Sequence, residues 1–299
     1  MINFITIGKK IYNVNNWREL HRCVIFVFRA YLNYSGVKRL YEFIFQDDLR
    51  KEALGGKPYP LEQVTRAFFY QGSTFAERMD LIAYHYAYLQ KKLVPDKFKA
   101  LCQGRGVPIW KAPMDDMNWQ SHLYFHIGQR KEGLLSVTMT LGDQPLYQIM
   151  FWLNKNKQGE SALWIGAMQG PNMENARDIV KETTKRAHRY RTKNLILYMT
   201  MAVARSLGVR HIYAVSNAGY YAMNHVRRDR KLKTDFGAFW EEAGGHVTDD
   251  PRFYEVPLVE PRKTMEEVPT RKRAVYRKRF AFQDDVDAQI AANMEKIFR

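Results

Sequence analysis

Between two short strand-like runs, Ala162–Met168 and His211–Ser216, lies a segment, Asn194–Leu207, that is apolar almost all round when wound as a helix. Leu195, Ile196, Leu197, Tyr198, Met199, Met201, Val203 and Leu207 leave it no polar face. Such a helix has to be buried, and beside strands a sheet is the surface that buries it. Gly208 follows where a helix end favours a residue free to turn left-handed. Strand, crossover helix and strand in this order predict a parallel pair with a right-handed connection.

Upstream, four β-rich runs follow one another: His122–Ile127, Leu134–Leu141, Pro145–Leu153 and Ala162–Met168. Turn residues separate them at 128–133, 142–144 and 155–159. In the second run Leu135, Val137, Met139 and Leu141 alternate with Ser136, Thr138 and Thr140, the period of a strand. Short turns predict an antiparallel meander. A polar helix is expected over 174–189, then a helix from Asp235 to Ala243 closed by Gly244 and Gly245, and a strand over Phe253–Leu258.

Residues 11 to about 105 read as helical. Trp17–Leu32 mixes apolar and basic positions as a half-buried helix does, with Asn16 as its cap. The stretch 55–60, rich in Gly and Pro, is a break. Helices are expected over Leu61–Tyr70 and Phe75–Lys92, the second capped by Ser73 and packed through Leu81, Tyr84, Tyr88 and Leu89. A loop is expected over 104–113. The last stretch carries Arg262, Lys263, Arg271, Lys272, Arg273, Arg277, Lys278 and Arg279, with a closing helix over Asp284–Phe298. The fold class read from this order is α+β: a helical N-terminal region (1–110), a mixed, mainly antiparallel sheet with a β-α-β unit (111–260), and a basic tail with a C-terminal helix (261–299).

The chain has 299 residues and a net charge of +16, a field that draws polyanions such as nucleic acid, anionic lipid headgroups or phosphorylated small molecules. Its basic tail accompanies no pattern of a known nucleic-acid module, so nucleic acid is not the expected partner. Cys23 and Cys102 stand alone, which rules out a disulfide framework or thiolate cluster and suits a reducing compartment. The first residues show no secretory signal. The greasy stretches Cys23–Phe28 and Leu195–Val203 fall short of the ~20 residues a bilayer crossing needs. A cytoplasmic location follows, with attachment at the inner face of the inner membrane as its variant.

Motifs of elbow serine hydrolases, P-loop NTPases and dinucleotide enzymes are missing. His122 and His126 share a spacing of four, but in a strand that separates them by ~13 Å, so no metal site is expected. The run His188, Arg189, Tyr190, Arg191, Thr192, Lys193, Asn194 leads straight into the buried helix. Unpaired N–H groups at a helix N-terminus, with basic side chains beside them, suit a phosphate or pyrophosphate; a solvated basic turn fits the same residues. Ser216, Asn217 and Tyr220 lie at the C-terminal end of a parallel strand, where open sheets bind ligands. There a hydroxyl of Ser216 or Tyr220 suits a general acid, while Asn217 also suits a helix cap. Gln169 and Asn172 end the preceding strand, where their amides would face the same crevice or simply form a turn.

The strings 163–171, 188–195, 215–217, 239–245 and 272–279 resemble the VirK/YbjX family of Gram-negative bacteria over most of the chain. The resemblance implies a cytoplasmic bacterial protein linked to virulence, envelope or lipid A integrity, and resistance to cationic antimicrobial peptides. It carries over no catalytic residues. A second resemblance, of topology only, is to the GNAT acyltransferases: a meander, a helix whose N-terminus holds acyl-CoA pyrophosphate, a parallel strand, a helix and a last strand. Residues 122–258 follow that order. Positions 189–194 take the place of the pyrophosphate loop, without its glycines and with helix 174–189 inserted ahead. This resemblance implies acyl-CoA as cofactor, with Arg189, Arg191, Thr192, Lys193 and Asn194 binding it. Joined to the strand-end reading above, it gives an enzyme with His188 and Asn217 near substrate and Ser216, Tyr220, Gln169 and Asn172 at the chemistry. A non-enzymatic basic protein that binds anionic lipid, a lipopolysaccharide precursor or a protein partner remains the alternative.

Overall fold

The computed structural model describes residues 1–113, 118–224 and 234–299. Seven helices come first: α1 (Phe4–Ile11), α2 (Trp17–Leu32), α3 (Tyr34–Phe45), α4 (Asp48–Leu54), α5 (Tyr59–Val64), α6 (Phe75–Lys92) and α7 (Pro95–Cys102). Asn16 caps α2 as expected, accepting from the N–H groups of Arg18 and Glu19. For α6 the cap is Thr74 rather than Ser73, in a reciprocal box with Glu77. Ser73 turns inward and donates to the Phe68 carbonyl at 2.7 Å.

The helix expected over 61–70 stops at Val64. Phe69 then takes a left-handed φ of 71°, and its N–H reaches the Lys131 carbonyl at 2.7 Å. Gln71 N–H reaches the Gly219 carbonyl at 2.8 Å, and Tyr70 bridges Tyr220. Partners distant in sequence satisfy these backbone groups, which local periodicity does not reveal.

The stretch expected as a loop, 104–113, contains strand β1 (Val107–Lys111), and β2 (Trp119–Tyr124) begins three residues ahead of its expected start. β1 is an edge strand, so Pro108, which has no N–H, fits there. β3 (Leu135–Leu141), β4 (Gln144–Lys155) and β5 (Ser161–Gln169) complete the meander. Then come α8 (Ala176–Arg186), α9 (Thr192–Leu207), β6 (His211–Val215), α10 (Phe236–Glu242), β7 (His246–Val247), β8 (Phe253–Val256) and α11 (Arg273–Glu295). One eight-stranded sheet results, in the order β1-β2-β3-β4-β5-β6-β8-β7. Among the described residues only β5 and β6 pair in parallel. The class is α+β, with the β-α-β unit where the apolar helix demanded it.

Leu135, Val137 and Met139 share a sheet face with Ile149, Phe151, Leu163, Ile165, Ile212 and Ala214. Trp110 and Trp119 carry this face out to the β1 edge, where Phe282 of α11 stacks on Trp119. α9 lies beside α11 and is buried nearly along its whole length. Burying each of its Leu, Ile, Met and Val side chains contributes roughly 1.5–3 kcal/mol relative to exposure. Gly208 closes it at φ 77°. On the opposite face Ser136, Thr138 and Gln148 are buried, not solvated; Gln148 Nε2 donates to Ser136 Oγ at 2.8 Å, and Ser136 Oγ to the Tyr124 carbonyl.

The helical region is tied to the sheet by Glu62, which is 1% exposed. Its carboxylate receives Arg130 Nε at 2.7 Å, and Gln63 Nε2 donates to the Arg130 carbonyl at 2.7 Å. The basic stretch near the C-terminus is docked too. α11 begins at Arg273 and not at Asp284, Arg262 pairs with Asp284 at 2.6 Å, and Arg279 donates to the carbonyls of His188 and Arg189.

Candidate functional site

The residues singled out in the sequence fall into three places. The first is the N-terminus of α9. His188 and Arg189 both adopt positive φ, 52° and 63°, and the Arg279 guanidinium holds their carbonyls. Burial, with Lys278 and Arg279 nearby, lowers the His188 pKa. Tyr190 is buried and donates to Glu260. Thr192 is buried as well, its hydroxyl 3.0 Å from that of Thr183. Outside, Arg191 and Lys193 flank one carboxylate: Arg191 Nη1 and Lys193 Nζ both reach Glu242 of α10, the latter at 3.0 Å. The lysine also lies 4.7 Å above the Phe239 ring. These contacts hold the Glu242 carboxyl below its ordinary range. Asn194 Oδ1 is buried without a hydrogen-bond partner among the described residues. Two cations at the start of α9 thus share one carboxylate, that of Glu242.

The second place is the end of β6, where β5 and β6 part. Their pairing runs from Ala162–His211 to Ile165–Ala214 and stops. Immediately beyond, β5 bulges: Phe151 faces Ile165 and Met150 faces Ala167, leaving Gly166 over. A Cβ on Gly166 would stand 1.9 Å from the Glu132 carbonyl oxygen, so only glycine admits this backbone. Tyr220 donates its phenol to Glu132 Oε1 at 2.5 Å. Burial raises the Glu132 carboxyl above the usual range although Tyr220 and Lys131 pull it down. Burial and the facing carboxylate push the Tyr220 phenol up, so the phenol keeps its proton. A half-buried acid–base pair therefore sits at the point where the parallel strands separate.

Ser216 and Asn217 are close by but otherwise engaged. Ser216 Oγ donates to the Pro251 carbonyl at 2.8 Å and accepts from Gly219 N–H at 3.0 Å. Asn217 accepts from Phe236 N–H at 2.7 Å and donates to Asp235 at 2.8 Å, securing the start of α10, which Asp235 caps. Nothing local marks Glu132, which lies in a turn of Gly, Gln, Arg and Lys; its partner is 88 positions away. Glu242 reads in sequence as an ordinary solvated helical position.

Gln169 and Asn172 belong to a third place. They line a cavity of about 740 Å³ over β2, β3 and β4, with His122, His126, Thr138, Thr140 and Gln148. Gln169 accepts from Gln129. Among the described residues no three metal-ligating side chains converge, there or elsewhere. A further cavity of about 530 Å³ lies over β5, β6 and β8. Trp152, Trp164 and Tyr213 stack along its floor, and Arg252 and Glu255 stand among its walls.

No helix of the described residues is long and apolar enough to cross a membrane. Comparison with known proteins is consistent over nearly the whole chain. Residues 15–292 match the profile of a family described as a protein of unknown function, DUF535. An uncharacterized protein of Escherichia coli, YbjX, is 30% identical over 219 residues, which are 71% of this chain and 65% of that protein. The match thus spans a little under two thirds of that relative. An uncharacterized protein of Haemophilus influenzae is 25% identical over 262 residues, 86% of this chain and 84% of its own length. A Mannheimia haemolytica protein named membrane protein LapB is 24% identical over 212 residues, 70% of this chain and 85% of its own. With a profile covering 15–292 and a relative 30% identical over 219 residues, this chain belongs to the VirK/YbjX (DUF535) family.

Proposed function

We propose that this protein is an acyltransferase-like enzyme of envelope metabolism that takes an anionic, CoA-type ligand at the N-terminus of α9. The observation that carries the reading is the Glu132–Tyr220 pair beside the Gly166 bulge, where β5 and β6 part. In such a transfer the acyl carbon leaves sulfur and joins an amine or hydroxyl of the acceptor. Glu132 takes the proton from the attacking group, and Tyr220 returns one to the departing thiolate. Thr192 and Lys193 N–H, with the side chains of Arg191 and Lys193, meet the ligand's phosphates. Glu242 has to yield its place, and because exposed ion pairs are worth roughly 0–1 kcal/mol, a doubly charged phosphate displaces it readily. Gln169 and Asn172 serve an acceptor lying in the cavity over β2–β4 in this reading.

Calorimetry and thermal-shift measurements with CoA, acyl-CoA, nucleotides and inorganic pyrophosphate test it. Stabilisation by CoA thioesters that Arg191→Ala and Lys193→Ala abolish is expected. No response to any thioester overturns the reading.

A second reading, a non-enzymatic factor that binds anionic lipid, a lipopolysaccharide precursor or a protein partner, is favoured by the start of α11. Arg271, Lys272, Arg277 and Lys278 are exposed there and form no ion pair with described residues. One relative is named membrane protein LapB, and that name agrees with a peripheral place at the inner face of the inner membrane. The family resemblance supports a role in envelope integrity and antimicrobial-peptide resistance under either reading.

A further inference from the structure

We propose that the outer face of α1 and α2 is a docking surface for an anionic lipid bilayer, on which α2 lies in the headgroup plane. A surface helix normally turns one apolar stripe inward and a polar one outward. α2 does otherwise. Cys23, Phe26 and Ala30 are buried beneath it, while Trp17, Val24, Phe28 and Leu32 stand outward at 78%, 60%, 63% and 67% exposure. Their spacings of seven, four and four residues put them on one stripe. Ile5 of α1, half exposed, adds to it. The inward stripe holds α2 to the protein, and the outward one is left for something else to cover.

Charge decides what covers it. Residues 1–32, which contain α1 and α2, carry Lys9, Lys10, Arg18, Arg22 and Arg29 against Glu19 alone, five minus one, or +4 of the chain's +16. Glu19 is already paired with Arg22. A second copy of the chain on this face would bring like charges together, at a cost. Lipid phosphates instead meet the cations while acyl chains meet the apolar stripe. At ~1.5 Å per residue, the 16 residues of α2 span about 24 Å, and it carries three arginines, so it lies along a bilayer rather than through it. Trp17 at its end is a side chain that favours the headgroup level.

This inference rests on the second reading above only for the anionic lipid, which it assigns to a face, and is independent of the transfer chemistry. Co-sedimentation of the full chain with vesicles tests it, comparing phosphatidylglycerol–phosphatidylethanolamine with pure phosphatidylcholine. Binding to the anionic vesicles is expected, falling about tenfold or more in Val24→Glu/Phe28→Glu, whose fold far-UV circular dichroism verifies. Arg277→Glu/Lys278→Glu on α11 is expected to change it by less than about threefold. Unchanged binding in the α2 variant overturns the inference; if the α11 variant then loses it, the second reading stands without it. Absence of binding to any vesicle overturns both. A lipid-free dimer that Val24→Glu/Phe28→Glu dissolves assigns the face to a second copy and likewise overturns the proposal.

Discussion

Tyr220 donates its phenolic hydrogen to Glu132 at 2.5 Å, joining the turn after β6 to the connection between β2 and β3 across the gap that opens at Gly166. The tyrosine's backbone is bridged to Tyr70 of the helical region at the same point. Three parts of the chain therefore meet around one proton.

Tyr220→Phe leaves the Glu132 carboxylate half-buried without its donor. A stability loss of about 1.5–3 kcal/mol is expected, since the lost bond is to a charged group. Under the transfer reading, Tyr220→Phe and Glu132→Gln each lower turnover by roughly 10²-fold or more with KM little changed. Denaturant titration checks the first effect and an acyl-transfer assay the second.

Removing Glu242 should strengthen anion binding. Glu242→Gln leaves Arg191 and Lys193 without their shared counter-charge, so affinity for pyrophosphate or CoA rises severalfold. Stability changes by less than about 1 kcal/mol, because both partners are exposed. Calorimetric titration at low and high salt checks it, the gain shrinking as salt rises.

Acid should destabilise the fold through His85. The imidazole is fully buried, Nδ1 accepts from Leu153 N–H at 3.1 Å, and Nε2 has no partner among the described residues. Burial lowers its pKa to about 3, against about 6.5 when unfolded. The unfolded chain therefore takes up a proton that the folded chain refuses. Stability from this group is complete above pH ~6.5 and falls by roughly 1.4 kcal/mol per pH unit on the way down to 3. His188, whose pKa is also lowered, acts in the same sense; His211, raised first by its hydrogen bond to Glu255, acts oppositely. Melting temperature followed from pH 7 to 4 should fall more steeply in the wild type than in His85→Gln.

The Glu62–Arg130 pair should be far more sensitive to loss of one partner than of both. Glu62→Ala leaves a largely buried guanidinium uncompensated, at a cost of about 3–5 kcal/mol. Glu62→Leu combined with Arg130→Met should recover much of that. A double-mutant cycle in denaturant reads the difference as coupling energy.

Much of the architecture was legible because period and polarity are local properties. Leu135–Leu141 alternates, Leu195–Leu207 does not, and the structure makes the first a strand and the second a helix buried against the sheet. The misreadings came where long-range contacts overrule local pattern. Residues 65–70 look helical, yet the Phe69 amide goes to Lys131 and that of Gln71, just beyond, to Gly219. Residues 107–111 contain a proline and follow glycines, yet pair as an edge strand. The basic stretch after 262 looks like a solvated tail, yet Arg279 closes the turn before α9.

The meander from β2 to β5, the β-α-β unit, the burial of α9 and the basic character of the chain follow from the residues alone. They depend on side-chain period, hydrophobicity and charge, each readable within a few turns of the chain. Which groups meet was settled only by the tertiary structure. Glu132 with Tyr220, Glu242 with Arg191 and Lys193, and the bulge that demands Gly166 each join segments far apart in sequence. Electrostatics and packing act through space, so these pairings exist only once the sheet has brought their carriers together.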